Sequence, residues 1–214
     1  MCIRDRFVSA LMISIIAMGA SEQYYQKMGE TLSGFSTCSS VEDYQDLANR
    51  FRIIANVEEN EWLPLYYEAQ CYILIGFIQG LSAEEKDTYL EKAASILETM
   101  EEMAPDEAEI KVLEAFYLTG SLLVNPAQRS MGTSPMIYAA LGRAKALEPN
   151  NPRVTFMEIS NKMGTASYFG EDIEPYCAQA RELLENWDSY QIKSPIHPSW
   201  GKSETEGIVS NCIN

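Results

Sequence analysis

The chain has 214 residues, of which 46% are hydrophobic, and this is enough for one domain with a buried core. Its 31 acidic and 16 basic residues give a formal net charge of −15, which excludes a basic footprint for nucleic acid and attraction to an anionic membrane surface. The acidity is typical of a solvated exterior, and the alternative is a surface matched to a basic partner.

The first predicted element is an export signal over residues 1–20. Two arginines precede an apolar run at 7–18, and small residues follow it, so we expect cleavage after Gly19 or Ala20. The run is too short for a transmembrane helix, so we expect no stable membrane insertion after cleavage. The alternative is a buried first helix. Removal of the signal would leave residues 21–214, which we predict to form a single domain.

Export bears on the cysteines, because an oxidising compartment permits disulfides. The first six residues, MCIRDR, resemble translated adapter sequence, in which case Cys2 does not belong to the protein. Cys71 lies in an apolar helical segment and is predicted to be a core residue. The four cysteines after Cys2, which include Cys38, allow three full pairings in an oxidising compartment. Because Cys177 and Cys212 both lie in the last quarter of the chain, we predict a disulfide between them that ties the tail to the last helical hairpin.

From residue 40 onward the apolar residues follow helical periodicity, and no segment shows sustained strand alternation. Ser40 and Asp43 form a plausible helix cap. Pro64 is tolerated only in a first turn, so the next helix is predicted to begin near Glu61. That helix is apolar on all sides, which predicts a position at the centre of the core.

The following helices begin and end at recognisable capping signals. Ser82 and Glu85 form a capping box at the start of an acidic helix. The acids of this helix indicate a solvated face, and the alternative is a site for a cation or a basic peptide. A further helix is predicted after Pro105. The pattern breaks at 125–133, where we expect a loop, and it restarts at 134–135 with a Ser cap and a Pro.

One segment occurs twice, at 104–116 and again at 148–160. Its prolines, Pro105 and Pro149, lie 44 residues apart (149 − 105), and each is followed by a new helix. A fixed period of this size is typical of helical repeat arrays. Helices are therefore predicted to begin near residues 61, 106 and 152, each followed by an antiparallel partner. The predicted fold is all-α, a short array of α-α hairpins with about seven to eight helices.

These residues resemble tetratricopeptide repeats. The positions that carry the resemblance are Ala144, Leu147, Pro149 and Asn150 in GRAKALEPNNPRV, and Trp62, Leu65 and Ala69 in WLPLYYEAQCY. The period of 44 departs from the family's period of about 34 residues. The resemblance therefore implies a compact, irregular version of this α-solenoid fold.

The whole chain after the signal is similar to a group of small secreted tetratricopeptide-like proteins of Gram-negative bacteria. The similar pieces are NEWLPLYYEAQ, LEPNNPRV, the segment at 163–170 and HPSWGK. This resemblance implies the fold and a periplasmic or secreted location, but it implies no particular activity.

Catalytic devices are scarce in the sequence. His197 is the only histidine, with no nucleophile motif or metal partner beside it, so we interpret it as a packed loop residue rather than a catalytic one. Zinc spacings, phosphate-binding loops and dinucleotide fingerprints are absent from the sequence. We therefore predict no catalytic, cofactor-binding or metal-binding residues.

Aromatic residues offer a different kind of site. They either line a groove for a peptide or glycan, or they belong to the core and cap its end. The residues concerned are Tyr66, Tyr67, Tyr72, Tyr168, Phe169, Trp187, Tyr190 and Trp200.

The sequence thus predicts an exported helical-repeat scaffold that binds a protein or peptide partner and performs no catalysis. Two alternatives stay open. One is a periplasmic hydrolase or glycan-handling factor that uses carboxylates. The other is a structural member of an envelope complex.

Overall fold

A computed structural model describes residues 21–212. Within this range the chain forms nine α-helices and no β-strand, which confirms the all-α prediction. The prediction of seven to eight helices missed the last one, which lies in the C-terminal tail. Its sequence is short and largely polar, so it shows no clear helical pattern. The helices are α1 Glu22–Leu32, α2 Val41–Val57, α3 Leu63–Gly76, α4 Ala83–Met103, α5 Ala108–Val124, α6 Pro126–Leu147, α7 Pro152–Phe169, α8 Glu174–Asn186 and α9 Lys202–Asn211. The predicted signal at 1–20 lies outside the described residues.

The middle of the chain is built from three helical hairpins, α3–α4, α5–α6 and α7–α8. Their first helices begin at Leu63, Ala108 and Pro152, close to the predicted starts. Local signals explain these starts, since Asn151 caps α7 by accepting from the Arg153 amide and Pro152 occupies the first turn. The hairpins pack side by side, with α5 lying between α3 and α7.

The core has two parts. One centres on α3, whose residues are buried on every side, as its uniformly apolar sequence predicts. Helices α2, α4 and α5 pack around it. The other part lies where α5, α6 and α7 meet, and Val112, Leu141 and Met157 are among its buried residues.

Helix α6 differs from the prediction. The expected loop at 125–133 and the restart at 134–135 are wrong, because α6 is continuous from Pro126 and contains Pro135 in its interior. The Asn125 side chain accepts from the Gln128 amide, so the cap-and-proline start lies nine residues earlier than expected. Arg129 holds this first half in place by pairing with Asp87 of α4 at 2.6 and 2.7 Å.

Residues 190–201, here called the strap, run across the first helices of the hairpins. The Tyr67 hydroxyl of α3 donates to the Ile196 carbonyl at 2.7 Å, and the Trp200 indole donates to the Tyr66 hydroxyl at 2.8 Å. Trp200 also stacks on Phe116 of α5, with ring centroids 5.4 Å apart. The strap therefore covers a face of the array that local sequence patterns leave open.

Candidate functional site

Of the aromatic residues that could either line a groove or belong to the core, Tyr66, Tyr67 and Trp200 come together in the core and its cover. Tyr66, Tyr67 and Trp187 are buried, and the first two are hydrogen-bonded to the strap. Tyr72 lies apart from them, beside Tyr89 of α4. For these residues the structure supports the core-and-cap alternative rather than an open peptide groove.

Tyr168 and Phe169 are the exception among those aromatics. They end α7, their rings meet edge to face with centroids 5.2 Å apart, and they are 66% and 68% exposed. Because the two rings are adjacent, they form a contiguous exposed apolar patch, which marks the end of α7 as a candidate surface.

His197 lies in the strap, away from that end of α7. Its Nδ1 is 2.8 Å from the Ser194 hydroxyl, and its backbone N–H donates to the Ser194 carbonyl in the same turn. Its ring contacts the edge of Trp62. In the described part of the chain no hydrogen bond joins the ring to a carboxylate.

Burial lowers the pKa of His197. In the unfolded chain its pKa is about 6.5, so as pH falls below that value the unfolded state takes up the proton first and the folded state loses stability. We expect the urea midpoint to fall between about pH 7 and about pH 5.5, and His197→Gln to reduce this slope. Equal slopes for the two proteins would contradict the prediction.

A buried ion pair lies at the centre of the array. The Arg153 Nε donates to both carboxylate oxygens of Glu109, at 2.9 and 3.0 Å, and both side chains are almost fully buried. Asn151 donates to the same carboxylate. Glu109 and Arg153 occupy equivalent positions of the two sequence copies, so the repeat places them in register for this bond. The pair joins α5 to α7 and has no access to a ligand.

The candidate site is an open groove between α7 and α9. Its volume is about 370 Å³, within the range of about 300 to 1,000 Å³ usual for small-molecule sites. Ile173, just before α8, and Ile208 of α9 form apolar walls, and Phe156 belongs to its floor. The lining consists of Phe156, Ser160, Met163, Gly164, Ser167, Ile173, Glu204 and Ile208.

Gly164 keeps the groove open. No heavy atom of the described residues outside its own stretch of helix lies within 4 Å of where its Cβ would be. Tyr168 follows Gly164 by one turn of α7, so it projects from the same side of the helix, at the rim of the groove. Neither ring of the exposed aromatic pair belongs to the groove lining itself.

A second hollow, of about 400 Å³, lies beside the turn at 147–151 and residues 189–191. Its polar groups already bond to each other, since Glu148 accepts from Tyr190 at 3.0 Å and from Lys193 of the strap at 2.6 Å. We therefore regard this hollow as part of the strap's attachment and the α7–α9 groove as the candidate site.

Sequence reasoning singled out part of this site without recognising its role. The segment 163–170 was singled out through a resemblance and through the aromatic residues Tyr168 and Phe169, whereas Met163, Gly164 and Ser167 are the members that form one side of the groove. Ile208 was not singled out, because nothing local shows that α9 packs against α7. The structure places the sulfurs of Cys177 and Cys212 at disulfide distance, with their Cα atoms 5.9 Å apart.

Within the described residues two kinds of feature are absent. No group of three or more His, Cys, Asp or Glu side chains has the arrangement of a metal site. None of the helices within 21–212 combines the length and apolar character needed to cross a membrane.

No family model matches the chain, so the tetratricopeptide assignment stays a resemblance, and no curated protein matches it. Among solved structures the chain is similar to the HusA haemophore from Porphyromonas gingivalis, with a TM-score of 0.76 and 27% sequence identity. The similarity covers 91% of this chain and 95% of that one, so it extends over nearly the whole helical array.

Proposed function

We propose that this chain is an exported binding protein whose cargo is haem or a closely related flat tetrapyrrole. The observation that carries the proposal is the likeness to a haemophore over nearly the full length of both chains. An open, largely apolar groove on the same scaffold supports it. Binding without catalysis agrees with the sequence prediction, and the small-molecule cargo replaces the peptide as the favoured ligand.

The groove suits the ring of a tetrapyrrole. A large flat apolar face is stabilised when side chains such as Phe156, Ile173 and Ile208 remove it from water. The carboxylates of haem are more stable when hydrated, so an open groove is compatible with them. Met163 lines the groove and belongs to a residue type that binds haem iron in other proteins, whereas neither Tyr168 nor His197 lines it.

The predicted protein or peptide partner has less support. In tetratricopeptide-like arrays a partner needs an exposed helical face, and here the strap occupies the shared face of α3, α5 and α7. A protein partner would have to use another surface. The carboxylate-based hydrolase is favoured by no geometric observation in the described residues.

Export is part of the same proposal. A cysteine pair at disulfide distance suits an oxidising compartment, and the apolar run at 7–18 has the features of a signal. We propose a periplasmic or secreted location in a Gram-negative envelope, with the mature protein beginning near residue 21.

Absorbance titration with haem tests the function. We expect the Soret band of haem to shift as protein is added, and the shift to saturate at one haem per chain. An unshifted band at protein concentrations of about 100 μM, where even weak carriers are largely loaded, would contradict the proposal. Recovery of one stoichiometric protein partner from envelope extract, together with no haem binding, would favour the predicted scaffold instead.

A further inference from the structure

Helix α9 supplies one wall of the groove but has little to hold it in place by itself. It is ten residues long, contains Gly207, and contributes Glu204 and Ile208 to the groove lining. Isolated helices shorter than about 12 residues are marginal in water. Its position must therefore come from attachments to the rest of the protein.

The start of α9 is attached through Gly201. This glycine has φ +104°, and an added Cβ would lie 2.7 Å from the Trp187 ring, so the chain turns here in close contact with the end of α8. Glu204 accepts from the Gly201 amide at 2.9 Å, and the Thr205 hydroxyl donates to the Gly201 carbonyl at 2.7 Å. These contacts fix the first turn and leave the rest of the helix to other constraints.

The end of α9 is attached through Cys212. Its sulfur is at disulfide distance from that of Cys177, which is buried in α8. The Cys212 amide donates to the Ile208 carbonyl at 3.1 Å, so the cysteine and the groove-lining isoleucine belong to the same turn of helix. A covalent link at Cys212 thus holds the turn that carries Ile208.

We infer that the Cys177–Cys212 disulfide positions α9 as a wall of the ligand groove, and that cargo affinity depends on it. The inference rests on the proposed function for its ligand. According to this inference the cysteines affect cargo binding by positioning Ile208, and they do not contact the cargo themselves. When the link is absent, the last turn of α9 loses its covalent attachment to α8, and Ile208 keeps its packing against the core but is held less firmly as a wall of the groove.

Hydrogen exchange and haem titration of Cys177→Ser/Cys212→Ser test the inference. We expect amides 206–211 to exchange at least tenfold faster, haem to bind at least tenfold more weakly, and the amides of α3 and α5 to keep their protection. Cys38→Ser, which removes a partly buried free thiol, is the matched control and should change neither quantity. Unchanged exchange in α9, or unchanged haem affinity despite faster exchange, would overturn the inference.

Two further measurements guard against a folding defect. Dithiothreitol reduces the disulfide to two thiols while its own two thiols form a cyclic disulfide, and reoxidation should restore haem affinity in the same sample. Ile208→Ser keeps the disulfide and should weaken haem binding by itself; wild-type affinity of this variant would contradict the proposed wall. If wild-type protein binds no haem, the proposed function fails, and exchange in α9 still decides whether the disulfide holds the helix.

Discussion

Arg153→Ala is expected to lower the free energy of unfolding by about 3 to 5 kcal/mol. The substitution leaves the Glu109 carboxylate buried, with Asn151 as its remaining hydrogen-bonding partner from α7. A buried charge that loses its counter-ion is far more costly than the net value of the pair, because the charge is not returned to water. Urea unfolding followed by circular dichroism measures the loss.

Two controls separate this effect from the loss of any arginine. Arg143→Ala removes an ion pair with Glu114 in which the arginine is 50% exposed, and it should cost no more than about 1 kcal/mol. Glu109→Leu/Arg153→Met replaces both charges with apolar groups and should recover most of the stability. If Arg153→Ala cost no more than Arg143→Ala, the ion pair could not be the main link between α5 and α7.

Gly164→Leu is expected to weaken haem binding about 100-fold, equivalent to about 2.7 kcal/mol. The groove is open where the new side chain would project, so the leucine would fill part of the volume in which we propose that haem binds. The variant should fold at least as well as the wild type, because leucine favours a helix over glycine by up to about 1 kcal/mol. Haem titration and thermal unfolding of the same sample separate binding from stability.

Gly142→Leu is the matched control for this experiment. Gly142 is also an exposed glycine within a helix, α6, and no heavy atom of the described residues outside its own stretch of helix lies within 4 Å of its Cβ position. It does not line the groove. The control should gain similar helix stability and bind haem like the wild type. Equal affinities for the two variants would place the cargo elsewhere on the protein.

Much of the scaffold could be predicted because its signals are local. The capping boxes at Ser40 and Ser82 and the Asn151–Pro152 start each involve residues no more than three positions apart. The apolar pattern of α3 predicts its central position for a similar reason. The first half of α6 escaped prediction because the apolar pattern breaks at 125–133, whereas a bond from Arg129 to Asp87, 42 positions away, attaches this half to α4.

The candidate site was far less accessible to sequence reasoning. Tyr66 and Trp200 could belong to a partner groove as well as to the core, and local patterns favour neither. One hydrogen bond joins these two residues across a sequence separation of 134, and it attaches the strap to α3. The α7–α9 groove likewise exists only because Ile208 is brought beside Phe156 and Met163.

Residues close together in the chain are enough to set the helical class, the spacing of the three hairpins and the equivalence of Glu109 and Arg153, because periodicity, caps and repeats are local patterns. Which helical face is covered and which is left open is settled by tertiary packing. That choice depends on where residues 190–212 pack, and packing between distant segments is set by the complementarity of whole surfaces rather than by any local pattern.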